Sequence, residues 1–205
     1  LIGGAGDDFY ILTIINSDVI VENEGAGTDT VLIDGSFSIA YQPNIENIEL
    51  TAAVASILTG NSQDNLIIGN ILNDNIRGGD GGDTLTGTSA AGNGEIDTLT
   101  GGAGADVFVL GNSASVFYNN IAGTGDYAFI RDFSVEQGDR LQLHGGATYL
   151  FDAGSGSQSL LYRDSDGNQA LSAGDDLIAE IIATGGGGDN KNLVSSDLAK
   201  IAIYA

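Results

Sequence analysis

The sequence predicts an all-β chain: a parallel solenoid of short coils, followed by a β-rich C-terminal cap. Three observations carry that prediction. A nine-residue pattern, G-G-x-G-x-D-x-U-x with U a large apolar residue, recurs in register. The chain holds 32 glycines against one proline, which suits tight, closely stacked turns. And 42% of the residues are apolar, enough for a core in a chain whose charge alone would suggest disorder.

Taken in order, residues 1–59 read as degenerate coils and a spacer. Residues 3–11, GGAGDDFYI, fit the pattern with Asp8 at position six. Residues 24–31, EGAGTDTV, fit it with Glu24 in place of the first glycine, Asp29 at position six and Val31 at position eight. The segment 28–51, TDTVLIDGSFSIAYQPNIENIELT, alternates apolar and polar residues as strands do.

Residues 60–110 hold the clearest run: GNSQDNLII at 60–68, GNILNDNIR at 69–77, GGDGGDTLT at 78–86, GTSAAGNGEIDTLT at 87–100 and GGAGADVFV at 101–109. Position six is Asn65, Asp74, Asp83, Asp97 and Asp106; position eight is Ile67, Ile76, Leu85, Leu99 and Phe108. The fourth unit is longer than nine residues, and its extra residues are expected to bulge as a loop. Each unit ends in a short strand whose apolar middle residue points into the core. The glycines allow positive φ and close backbone approach. Inward carbonyls and the Asp carboxylate are hard oxygen ligands of the kind calcium takes six to eight at a time.

This run resembles the RTX (repeats-in-toxin) family of bacterial secreted proteins, whose calcium-binding nonapeptides form a parallel β-roll. The resemblance implies a right-handed β-roll or β-helix with calcium between its loops. Two nonapeptides make one coil in that family, so each loop stacks on the loop two repeats away. Carried over, this pairs Asp83 with Asp106, Asp74 with Asp97, and Asn65 (or its neighbour Asp64) with Asp83. The ligand set implied is those acids with the loop carbonyls at Gly78, Gly79, Gly81, Gly101, Gly102 and Gly104, Asp83 and Asp106 first because both loops match the full template. Asp8 and Asp29 form a further candidate pair; solvated acids are the equal alternative.

Residues 111–205 read as the capping region. The cadence in DYAFIRDFSVEQGDRLQL, 126–143, resembles the coil that follows RTX repeats, with Ile130, Phe133, Leu141 and Leu143 as core residues. Asp132 and Asp139 are read as turn residues in preference to ligands. Strands are expected at TYLF 148–151, SLLYR 159–163, DLIAEII 176–182 and KIAIYA 200–205, covering a solenoid end that would otherwise offer an open sheet edge. The Gly185–Gly188 run is expected to be a loop. Residues 164–175, DSDGNQALSAGD, place Asp164, Asp166, Asn168 and Asp175 at positions 1, 3, 5 and 12 of an EF-hand-type loop. Gln169 stands where that loop wants glycine, and a plain turn between strands is the competing reading.

The chain carries 28 acids against 6 bases, a net charge of −22. Two carboxylates about 4 Å apart repel by roughly 4 kcal/mol at an effective dielectric near 20, and a divalent cation between them reverses that sign. Such a surface argues against nucleic acid and anionic membranes as partners. No apolar run reaches the roughly 18 residues of a membrane-crossing helix. Cysteine is absent and His144 is the only histidine. Neither HExxH, G-x-S-x-G nor a phosphate-binding loop occurs, so no catalysis is expected. The expectation is a calcium-dependent module of a secreted protein, outside the cell or at its surface. It opens inside a repeat, as a piece of a longer chain would. The tail SSDLAKIAIYA resembles a type I secretion signal and reads equally as a final strand. A structural role, self-associating in a surface layer or filament, is the alternative.

Overall fold

The computed structural model describes residues 1–205 except 14–18, 26, 89–93, 120–124, 155–157, 185–192 and 194. Strand accounts for 44% of the protein and helix for 3%, so the chain is β-rich, in two mostly parallel sheets. The extra residues of the fourth repeat and the Gly185–Gly188 run fall largely or wholly outside the described residues.

The first sheet is parallel throughout. It runs β1 (Phe9–Leu12), β2 (Thr30–Ile33), β4 (Asn47–Leu50), β6 (Leu66–Ile68), β8 (Thr84–Thr86), β10 (Val107–Val109), β12 (Arg140–Leu143), β16 (Ala202–Tyr204). The second runs β3 (Phe37–Ser38), β5 (Ile57–Thr59), β7 (Asn75–Asp80), β9 (Ile96–Ala103), β11 (Tyr127–Phe133), β15 (Asp176–Ala183), all parallel. It then continues antiparallel through β14 (Gln158–Arg163) to β13 (Tyr149–Ala153). From β3 to β12 the chain alternates between sheets.

Parallel pairing in register lines up the apolar middle residues. In the first sheet Tyr10, Val31, Ile48, Ile67, Leu85, Phe108 and Leu141 are successive Cα partners. In the second, Leu58, Ile76, Leu99, Ile130 and Ile181 are. Both columns belong to one buried hydrophobic cluster. Every position-eight residue of the 60–110 run is fully buried, as are Ile130, Phe133, Leu141 and Leu143. Small strands of three or four residues suffice because each inward side chain meets its neighbours on the adjacent rungs as well as the facing sheet.

At the C-terminal end the expected strands form β13, β14 and β15. The tail differs from a plain strand. Residues Leu198–Ile201 make one helical turn before β16, because i,i+3 spacing turns both Leu198 and Ile201 into the core, where both are buried. Among the described residues no helix is long and apolar enough to cross a membrane.

Candidate metal centre

The residue just before each first-sheet strand from β1 to β12 stands on one edge of that sheet. These are Asp8, Asp29, Glu46, Asn65, Asp83, Asp106 and Asp139. Parallel stacking links them. The backbone N–H of Asp8 donates to Asp29 Oδ1 (2.8 Å) and that of Asp29 to Glu46 Oε2 (2.8 Å). Farther along, Asn65 N–H donates to Asp83 Oδ1 (2.8 Å), Asp83 N–H to Asp106 Oδ1 (2.8 Å) and Asp106 N–H to Asp139 Oδ1 (3.0 Å). The structure thus brings together Asp83 with Asp106, Asn65 with Asp83, and Asp8 with Asp29. Asp64 reaches the same stack from outside, its Oδ1 accepting from Gly82 N–H at 2.7 Å.

These bonds use one oxygen of each carboxylate, and the second oxygen distinguishes the rungs. Asp139 Oδ2 accepts from Ser134 N–H at 2.7 Å. Asp83 Oδ2 and Asp106 Oδ2 are buried and accept no hydrogen bond among the described residues. These are the two loops of the 60–110 run that match the full template. Both oxygens sit over position one: a Cβ added at Gly78 or Gly101 would meet Asp83 Oδ2 or Asp106 Oδ2 closer than 3.0 Å. Position two is Gly79 and Gly102, at φ +130° and +110°, and Gly102 N–H goes to Asp132 Oδ2 (2.9 Å) instead of to Asp106. Loop carbonyls crowd in from the neighbouring rung. A Cβ at Gly102 would meet Gly79 O, one at Gly104 would meet Gly81 O, and one at Gly81 would meet Gln63 O, each closer than 3.0 Å.

Burial pushes Asp83 up to about 7 and Asp106 up to about 6, outweighing the N–H bonds that favour their charged forms. Neighbouring acids push the same way: Asp106, Asp64 and Asp80 on Asp83, and Asp139, Asp132 and Asp64 on Asp106. A buried, unpaired, anionic oxygen beside backbone carbonyls is a costly arrangement. The donor set is all hard oxygen, and it fits a calcium ion.

Asp74 and Asp97 stack on the opposite edge, before or within second-sheet strands. Ser56 N–H donates to Asp74 Oδ1 (2.7 Å) and Asp74 N–H to Asp97 Oδ1 (2.8 Å). Their second oxygens are engaged too, Asp74 Oδ2 by Asn70 N–H (2.8 Å) and Asp97 Oδ2 by the Tyr118 hydroxyl (2.7 Å). Burial raises Asp97 to about 7 and holds the Tyr118 hydroxyl well above its ordinary value. Asn61 plays the part of Asn70 in the first repeat, donating its N–H to Asn65 Oδ1 at 2.8 Å.

Two further groups of acids have oxygens within 4.8 Å of one another: Asp8, Glu22 and Asp29, and Asp164, Asp166 and Asp175. The first gains Glu22, which has no place in the repeat and so no signal in its spacing. The Tyr10 hydroxyl donates to Glu22 and holds it below its ordinary value, while burial raises Asp29. In the second group the carboxylates cap their own turn. Asp164 accepts from Gly167 and Gln169 N–H, and Asp175 from Ser165 and Ser172 N–H. Asn168 Nδ2 donates to Asp166 Oδ2 at 2.7 Å. Gln169, where an EF-hand loop carries glycine, sits at φ +58°.

Asp132 and Asp139 are more than turn residues. Asp132 lies in β11 and its two oxygens accept from Gly101 and Gly102 N–H, both at 2.9 Å. His144 Nδ1 lies 2.8 Å from Asn112 O, away from the stacked acids. Asp126, also missed in the sequence, is buried with Oδ1 lacking a donor among the described residues. No family model matches the chain, and no curated protein matches it.

Proposed function

We propose that this chain is a non-catalytic calcium-binding module of a secreted protein, an RTX-type β-roll that orders around calcium outside the cell. The observation that carries the reading is the pair of buried oxygens, Asp83 Oδ2 and Asp106 Oδ2, that have no donor among the described residues, in the two full-template loops of the 60–110 run. The alternation of strands between two mostly parallel sheets supports the roll. Asp83, Asp106 and the carbonyls of their stacked loops would hold the ion; the cation would supply the positive charge that cancels their repulsion. Asp8, Asp29 and Glu22 are the next candidate set, and Asp164, Asp166, Asn168 and Asp175 the last. Extracellular modules bind calcium with dissociation constants of about 10⁻⁴ to 10⁻³ M, and a tenfold excess over that constant adds roughly 1.4 kcal/mol per site. A few sites then add several kcal/mol to a marginally stable domain, which weakens folding in a calcium-poor cytosol and suits type I export.

The deciding experiment is circular dichroism during a calcium titration against a chelator control. A cooperative gain of β-signal is expected with calcium and little with magnesium, which demands a tighter octahedron. An Asp83→Asn, Asp106→Asn double variant raises the calcium midpoint; an unmoved midpoint removes those residues from the site. Self-association is a second reading, favoured by the edge strand β1, which exposes Phe9 (69%) and Ile11 (75%). Sedimentation analysis with and without calcium decides it: a concentration-independent monomer speaks against it.

A further inference from the structure

The loops that stack on the two edges close in two chemically different ways. In the Gly-Gly loops, 78–83 and 101–106, the position-six carboxylate keeps a buried oxygen with no donor among the described residues. In the Gly-Asn loops, 60–65 and 69–74, one asparagine does three jobs. Asn70 donates its N–H to Asp74 Oδ2 (2.8 Å), its Nδ2 to Ala52 O (2.9 Å) and Val54 O (2.8 Å), and accepts Leu72 N–H on Oδ1 (2.7 Å). Asn61 repeats the pattern, with Asn65 Oδ1 (2.8 Å), Gln42 O (2.8 Å), Ile45 O (2.7 Å) and Gln63 N–H (2.8 Å). Each amide therefore satisfies the carbonyls of the preceding rung and the position-six side chain together, the groups a cation would otherwise gather. The fourth repeat has Thr88 at position two, and there Tyr118 supplies the donor. Its hydroxyl and Asp97 Oδ2 both lie so close over Gly87 that a Cβ there would meet each closer than 3.0 Å. Tyr118 and Asp97 are both fully buried.

We infer that protein donors stand in for metal in the loops closed by Asn61, Asn70 and Tyr118, so that calcium in the 60–110 run is confined to the Gly78–Asp83 and Gly101–Asp106 loops. This rests on the calcium reading above and departs from an even spread of ions along both edges. The residue at position two sorts the loops: glycine there turns the amide away and frees the carboxylate, whereas asparagine spends it internally.

The test uses the full chain, with calcium counted by titration calorimetry and thermal melts run in chelator. Asp74→Asn and Asp97→Asn are expected to leave the number of bound ions unchanged, while Asp83→Asn or Asp106→Asn lowers it. Asn70→Gly and Tyr118→Phe are expected to melt several degrees lower in chelator, and pairing each with Asp74→Asn or Asp97→Asn adds less than the sum. Loss of an ion in Asp74→Asn or Asp97→Asn overturns the inference, as do unchanged chelator melts for Asn70→Gly and Tyr118→Phe. A wild-type chain that binds no calcium refutes the calcium reading instead, and the chelator melts still decide whether these donors hold their loops.

Discussion

Asp83 and Asp106 hold the sharpest consequences at the level of single side chains. Their folded-state values, about 7 and about 6, lie above the ordinary carboxylate value of 3.8. The folded, metal-free chain therefore holds these protons more tightly than the unfolded chain does. Their contribution is full at pH below the ordinary value and is lost as pH rises through 6 to 7. In chelator the protein should melt lower at pH 8 than at pH 5. Calcium prefers the deprotonated form, so saturating calcium should flatten that slope, and binding near pH 6.5 should release protons measurable by calorimetry in buffers of different ionisation enthalpy. Glycine gives a second single-residue prediction. Gly102 sits at φ +110° under Gly79 O, so Gly102→Ala combines backbone strain with a clash against main chain. A loss of about 1–3 kcal/mol from strain alone is expected in a urea melt; a neutral result would show that the loop backbone is free to rearrange.

At the level of strands and loops, the register of the core is the testable quantity. Leu85 is fully buried between Ile67 and Phe108 on adjacent rungs. Leu85→Ala should cost about 2–5 kcal/mol, read as a shift in the urea midpoint. This column was legible in the sequence from 60 to 109 because a nine-residue period fixes which residue of each strand points inward. The stacked acids of the same repeats were legible for the same reason. Glu46 was not, although it is a rung between Asp29 and the repeats: no glycine pair precedes it, and glutamate replaces aspartate. Tyr118, Glu22 and Asp132 were also out of reach, since they come to the loops from other parts of the chain, 21, 12 or about 30 residues from their partners. The asparagines at position two were visible, but their meaning lies in where an amide points, which depends on φ and not on composition. At the tail, Leu198 and Ile201 read as part of a strand because an isolated helical turn leaves too short a pattern to recognise.

For the molecule as a whole, a net charge of −22 is spread over two short-stranded, mostly parallel sheets. Monovalent salt should therefore raise the chelator melting temperature modestly by screening, and calcium should raise it far more at a thousandth of the concentration. Equal effects at equal ionic strength would mean that charge density, not a specific site, governs folding.

The hydrogen-bonded ladder along the first sheet also has a sense of direction. Asp8 and Asp29, and then Asn65, Asp83 and Asp106, each lend an amide hydrogen to the carboxylate of the rung that follows, and Asp139 is seated from its own neighbourhood by Ser134, five residues back. Within each of these two runs a rung is secured by its successor; the sequence of links breaks at Glu46, whose N–H turns back to Asp29 O. Amide exchange should accordingly be slowest at Asp106 and quicken through Asp83 to Asn65, and assembly of the 60–110 run should travel backward along the polypeptide, against the order of synthesis.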